Sequence, residues 1–168
     1  REFERQQVDL PLDKRRSVGI IFSYAPNDEA PGTGLLAEES MDPSALSHDD
    51  RAFLDDAIAT YNDRFGTNFG TDASGFENYY EHLSKALTEK RIDLVIVVDM
   101  FLTGFDSKTL NTLWVDKNLH AHGLIQAFSR TNRILNSVKT YGNIVCFRNL
   151  EEETNEAIAL FGNKEARS

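Results

Sequence analysis

The sequence predicts an α/β fold, a parallel β-sheet with helices on both faces. Three observations lead there. "IDLVIVVD" (Ile92–Asp99) is an unbroken apolar run, as an interior strand covered on both faces requires. Three further strand-like runs, "SVGIIFSY", "TLWV" and "YGNIVCF", alternate with stretches of helical period. Alternating strands and helices favour parallel crossovers over hairpins. The chain has 168 residues, of which 40% are hydrophobic and 27% charged, enough for one domain with a sizeable core.

The elements follow in chain order. Ser17–Tyr24 is rich in β-formers and reads as a buried strand. "APNDEAPGTG" is dense in turn residues and reads as a loop. Residues 34–47 show no clear period and are read as a candidate mobile segment. Ser47 with Asp50 resembles a capping box, and Leu54, Ile58, Tyr61 and Phe65 recur at helical spacing until Gly66. Ser74 and Glu77 repeat the capping signal, and Phe76, Tyr79, Tyr80, Leu83 and Leu87 continue a second amphipathic helix to Lys90-Arg91. "TLWV" (Thr112–Val115) predicts a short strand, "GLIQAFSRTNRIL" a helix, and "YGNIVCF" (Tyr141–Phe147) another strand. "EEETNEAIALFG" predicts a closing helix with acids in its first turn, where they oppose the helix dipole. The sequence thus divides into a leading segment 1–16, a lobe 17–150, and a closing helix and tail 151–168.

Composition narrows the function. A net charge of −9 disfavours a general nucleic-acid coat protein but allows a local basic groove. Such a groove is suggested by residues 108–148, where Lys108, Lys117, Arg130, Arg133, Lys139 and Arg148 face a single acid, Asp116. The single cysteine, Cys146, lies in the apolar "IVCF" and is expected in the core, in keeping with a reducing cytoplasmic setting. Trp114 is likewise expected in the core. No window approaches the roughly 20 apolar residues of a membrane span. "REFERQQVDL" lacks the apolar region of a secretory signal. Beginning at Arg1, the chain reads as a piece of a longer protein or as a processed product.

Two groups carry candidate chemistry. On a helix, Gln126, Arg130 and Arg133 fall on one face, since steps of four and three residues nearly complete a turn. Two guanidiniums and an amide make a donor array suited to phosphate oxygens; a solvated surface face is the plainer reading. Thr103-Gly104-Phe105-Asp106 follows the best strand, where ligands gather in parallel sheets. Gly104 lets backbone N–H groups approach an anion, Thr103 adds a donor and Asp106 an acceptor for ribose or water. A strand-to-helix turn capped by Asp106 or Ser107 is the plainer reading there.

Other leads fail. "PGTGLL" lacks the lysine and hydroxyl of a P-loop. "DMFLT" places Phe101 where a phosphatase of the haloacid-dehalogenase type needs its second acid. His120 and His122 have no further metal ligands at suitable spacing.

The order of the pieces is more specific than the pieces. "TGFD" after a strand, then "LWVDK", then Q-x-x-x-R-x-x-R resembles motifs V and VI of superfamily-2 helicases, with "GIIFSY" where motif IV would fall. The run "VVDMFLTGFDSKTLNTLWVDKNLHAHGLIQAFSRTNRILNSVKTYGNIVCF" is similar to the motor (R) subunit of type I restriction enzymes. This resemblance implies a RecA-like second motor lobe. ATP and Mg²⁺ would be shared with a first lobe that carries the Walker motifs, which this chain lacks. Gln126, Arg130 and Arg133 would face the ATP phosphates, with Arg133 the arginine finger. Asp106 would sense nucleotide, and Thr103 and Gly104 would touch the DNA backbone. The implied partners are the N-terminal motor and nuclease domains of the same subunit, double-stranded DNA, and methyltransferase and specificity subunits. The implied activity is ATP-dependent translocation on DNA and its cleavage, neither performed by this chain alone. Another superfamily-2 helicase, or a degenerate RecA-like interaction module, would share the same motifs.

Overall fold

The computed structural model describes residues 2–11, 14–22, 46–98, 100–101, 105–119 and 121–165. They form a mixed α/β structure with parallel strand pairing. The expected loop 25–34 and most of the candidate mobile stretch 34–47 lie outside them. The elements are α1 (Glu2–Gln7), β1 (Val18–Phe22), α2 (His48–Phe65), α3 (Ala73–Thr88), β2 (Leu94–Val98), β3 (Thr112–Val115), α4 (Ala121–Ser129), β4 (Asn143–Cys146) and α5 (Glu151–Glu165). The chain divides into two compact units, the first holding α1 to β2 and the second β3 to α5.

In the first unit β1 and β2 pair in parallel, with Val18 opposite Leu94 and Phe22 opposite Val98. The α2 and α3 helices are bounded by local chemistry. Ser47 caps α2, its hydroxyl accepting from the Asp50 N–H at 3.2 Å. Gly66 ends α2 at φ 66°, a left-handed conformation in which a side chain is strained. The cap of α3 is Asp72 rather than Ser74: its carboxylate accepts from the Gly75 N–H at 3.0 Å, and Ser74 instead donates to Asp72. A carboxylate two residues upstream outbids the hydroxyl because it accepts both bonds with full charge.

The core of this unit holds Ile21, Leu54, Ile58, Tyr61, Phe76, Tyr79 and Leu83, all buried. Gly19 marks the closest approach, since a Cβ there would meet Leu83 Cδ1 at 2.4 Å. Tyr79 crosses to the strand and donates to the Ile20 carbonyl at 2.8 Å. Tyr61 packs edge-on to Tyr79 with ring centres 5.0 Å apart, and its hydroxyl lies 2.7 Å from His82 Nδ1. Burial raises the Tyr61 pKa to about 12 against the pull of Arg91, so the phenol keeps its proton. Burial first, then Arg91 and Lys85, lower His82, which favours the neutral ring as acceptor.

Side chains alternate across a strand, so Gly19 and Ile21 share a face with Val95 and Val97, and Ile96 and Val98 point to the other. Ile96 and Val98 are 46% and 52% exposed, and among the described residues β2 has β1 as its one partner. The expectation for Ile92–Asp99 was an interior strand covered on both faces; in the described residues only one face is packed.

The strands are tied at their start by Asp93. It accepts from the Ser17 N–H at 2.8 Å, the Ser17 hydroxyl at 2.9 Å and Arg16 at 3.0 Å. Burial alone would raise the carboxyl pKa, but the Ser17 and Arg16 bonds outweigh it and hold it below the ordinary value. A lowered folded-state pKa stabilises above the unfolded value, near 3.9, and is lost as pH falls through the folded one. Asp93→Ala is therefore expected to cost about 1–2 kcal/mol near neutral pH, after allowance for solvent screening. Urea unfolding of wild type and variant should show the gap closing as pH is taken below 4; a gap constant down to pH 2 would remove the carboxylate from the account.

In the second unit β3 and β4 pair in parallel, Thr112 opposite Asn143 and Val115 opposite Cys146. Val115, Leu119, Leu124, Ala127, Leu150 and Ala157 form its core, with Leu113, Ile125 and Phe128 packed against it. Leu113 and Val115 thus face that core, and Trp114 and Val145 share the opposite side. Two expectations fail there. Trp114 is 54% exposed, and Cys146 is exposed as well. Trp114 lies on the side away from that core, whereas Cys146 is exposed although it pairs with the buried Val115, because β4 is exposed along its whole length.

Candidate functional site

The described site residues of the second unit are Asp106 ahead of β3, Gln126 in α4, and Arg130 and Arg133 in the segment following α4. Thr103 and Gly104 lie outside the described residues, and with them the proposed backbone contact to DNA. Phe105 is buried against Phe101, with ring centres 4.6 Å apart, and Asp106 beside it is exposed. Ser107 is buried and folds the next turn, its hydroxyl 2.8 Å from that of Thr109. Asp106 and Ser107 do not cap a helix; the chain enters β3 instead.

The helix expected over "GLIQAFSRTNRIL" stops at Ser129. Gln126 is therefore helical, and Arg130 and Arg133 are not. The shared helical face proposed for the three is corrected accordingly. The apolar Ile134 and Leu135 continue the helical rhythm, yet Ile134 is 63% exposed. Competing hydrogen bonds explain the stop. The Ser129 hydroxyl donates to the Gln126 carbonyl at 2.7 Å, and the backbone turns through Arg130 N–H to Ala127 O and Asn132 N–H to Ser129 O.

The two arginines nonetheless reach one place. Arg130 Nη1 donates to the Phe105 carbonyl. Arg133 Nη2 lies 3.1 Å from Asp106 Oδ2, with the two side chains 55% and 49% exposed. Consecutive residues of the turn after β2 thus hold both guanidiniums. Gln126 is half-buried, and its Oε1 has no hydrogen-bond partner among the described residues. Arg130 is anchored by a neutral carbonyl. Arg133 is held by an exposed ion pair of about 0.2–1 kcal/mol, which a multiply charged phosphate can displace.

Lys139 was not predicted as part of this arrangement. Its ammonium is buried and donates to the carbonyls of Thr131, at 2.9 Å, and of Arg133. Nothing in "NSVKTYG" marks that lysine from sequence, because its partners are backbone atoms.

Much of the positive charge of residues 108–148 is engaged internally: Arg130 and Lys139 by carbonyls, Arg133 by Asp106, and Arg148 by Asp116 at 3.3 Å. The basic groove inferred from composition is correspondingly weaker. Among the described residues no cluster of three or more His, Cys, Asp or Glu could hold a metal ion, and no helix is long and apolar enough to cross a membrane.

Comparison with known proteins shows the family. The family model for type I restriction enzyme subunit R domain 3 matches residues 1–149. The SauMRSORF196P endonuclease subunit of a type I restriction enzyme from Staphylococcus aureus is 42% identical over 160 residues, covering 93% of this chain and 16% of that protein. The SsaAORF53P endonuclease subunit from Staphylococcus saprophyticus is 46% identical over 162 residues, covering 95% of this chain and 16% of that protein. A shorter match, 58% identical over 65 residues, is to a putative type I restriction enzyme MpnIIP endonuclease subunit N-terminal part from Mycoplasma pneumoniae, covering 39% of this chain and 17% of that protein. The chain spans about one-sixth of the length of the staphylococcal relatives. With the R-subunit family model matched over residues 1–149 and staphylococcal R subunits more than 40% identical over most of the chain, this chain belongs to the family of type I restriction enzyme R subunits, domain 3.

Proposed function

We propose that this chain is the second, RecA-like lobe of the motor in a type I restriction endonuclease subunit. It contributes to ATP-dependent translocation on double-stranded DNA and to cleavage, with first-lobe and nuclease domains of the same subunit and with methyltransferase and specificity subunits, in the cytoplasm. The observation that carries the reading is the exposed pairing of Arg133 with Asp106, beside an Arg130 held on the Phe105 carbonyl. A guanidinium parked on a weak, half-exposed partner is available to a γ-phosphate that arrives when a cleft closes. Charge developing on that phosphate is then stabilised by the planar fork of Arg133. Gln126, whose amide oxygen has no partner among the described residues, fits a contact to the attacking water, which can donate to it. Asp106, relieved of Arg133, reports occupancy to the turn that carries Thr103 and Gly104, the proposed DNA-backbone contacts. ATP would supply the phosphoryl group and Mg²⁺ its charge neutralisation, both shared with a first lobe.

The purified chain is expected to show no Mg²⁺-dependent ATP turnover and only weak ATP binding, because a phosphate cradle is missing. Its duplex-DNA binding should be feeble and fall steeply with salt, because few cations remain uncommitted on an acidic chain. Robust turnover by the chain alone, or tight binding indifferent to salt, would defeat the reading of a half-motor.

A further inference from the structure

We infer that Lys139 is a positioning residue for Arg133: a buried ammonium that fixes the backbone of the arginine while leaving its side chain free to move. The inference rests on the reading of Arg133 as the group that meets the γ-phosphate.

The segment after α4 has lost the helix's own hydrogen bonds, so something else must hold it. Lys139 Nζ takes the carbonyls of Thr131 and Arg133 together, bracketing Asn132. Its own backbone is fixed in turn. Asn136 Oδ1 accepts from the N–H groups of Val138 at 2.9 Å and Lys139 at 3.1 Å, and the Leu135 N–H donates to the Lys139 carbonyl at 3.1 Å. This Asx turn folds the lysine back across the loop it closes. A second restraint acts at Thr131, which is 1% exposed: a Cβ on Gly142 would lie 2.2 Å from the Thr131 carbonyl oxygen, so the strand-leading backbone runs directly against it. No carboxylate ion pair to Lys139 exists among the described residues, and the charge is met by carbonyl oxygens.

A buried cation is costly unless its hydrogen bonds are made. That cost makes the clamp stiff, because any drift of the Thr131 or Arg133 carbonyl strands the ammonium. The half-exposed guanidinium beyond it has no such restraint and exchanges one anion for another. Lys139 therefore sets where the guanidinium pivots, and does not itself touch nucleotide.

The test is made in the assembled restriction enzyme containing this chain, with Lys139→Met, Lys139→Arg, Arg133→Ala and the Lys139→Met/Arg133→Ala pair. DNA-stimulated ATP hydrolysis is measured as kcat and KM, with melting temperature recorded for each variant. Lys139→Met is expected to lower kcat about 10²-fold, the scale of a misplaced catalytic group, with KM for ATP and DNA affinity unchanged. Lys139→Arg, which retains a cation and several donors, is expected to recover most of that loss. The pair should be no slower than Arg133→Ala alone, because the lysine acts only through the arginine. Should Lys139→Met fail to fold, Lys139→Gln, whose shorter amide cannot span both carbonyls, is compared in its place and is expected to lower kcat. Wild-type turnover in a folded Lys139→Met or Lys139→Gln, or losses that multiply in the pair, would overturn the inference while leaving Arg133 in its role. Normal turnover in Arg133→Ala would instead overturn the role of the arginine itself.

Discussion

Arg133→Ala in the assembled enzyme is expected to cut DNA-stimulated ATP turnover by about 10³–10⁵, roughly 4–7 kcal/mol of barrier, with DNA binding retained. The magnitude follows from when the guanidinium acts. Its pairing with Asp106 is half-exposed and weak, whereas the proposed interaction with γ-phosphate charge would be made in a closed cleft of low dielectric. Arg133→Lys should rescue poorly, since an ammonium cannot reproduce the planar fork. Stability should hardly change, because the lost ion pair is worth less than about 1 kcal/mol. Steady-state kinetics and thermal melting on the same preparations check both halves. Near-normal turnover would remove Arg133 from catalysis, and a large fall in melting temperature would make it structural.

Arg130→Ala should behave differently, losing both rate and stability. Arg130 is half-buried and its guanidinium donates to the Phe105 carbonyl, the residue immediately before Asp106. Removing it frees the turn that holds Arg133's resting partner, and removes one of the two planar donors proposed to face phosphate. A hydrogen bond from a charged donor is worth about 1.5–3 kcal/mol, so the melting temperature should fall by several degrees. Turnover should fall about 10²-fold, from misplacement as much as from lost charge. Arg130→Lys should restore more of the stability than of the rate, because an ammonium can reach one carbonyl but cannot form a fork. A variant that melts like wild type would show that the Phe105 contact contributes nothing, and one that turns over normally would leave Arg133 as the sole arginine in the chemistry.

The contrast between the two arginines is not visible in the spacing Q-x-x-x-R-x-x-R. On the page of the sequence both belong to one helical face. In the structure Arg130 donates to the Phe105 carbonyl and Arg133 pairs with an exposed Asp106, because α4 ends at Ser129 and neither arginine is helical.

Local chemistry was enough for several elements. Ser47 and Gly66 bound α2 from sequence because a capping hydroxyl and a left-handed glycine act within their own turn. Thr112–Val115 was legible as a strand, and the alternation of strands with helices was legible as parallel pairing. The resemblance of residues 91–150 to restriction-enzyme motors was legible too, since it depends on the order of motifs rather than on their packing. Tertiary structure decided the rest. The path of the chain after α4 depends on Lys139, Asn136 and Gly142, which act on backbone atoms that no side-chain pattern encodes. The exposure of Trp114 depends on which face of a two-stranded sheet a helix covers, and that of Cys146 on β4 being exposed along its whole length although Cys146 pairs with the buried Val115. The sequence by itself determined the order of Gln126, Arg130 and Arg133 along the chain. Only the fold decided which partners the two arginines take, because these are set by contacts with distant residues and not by helical period.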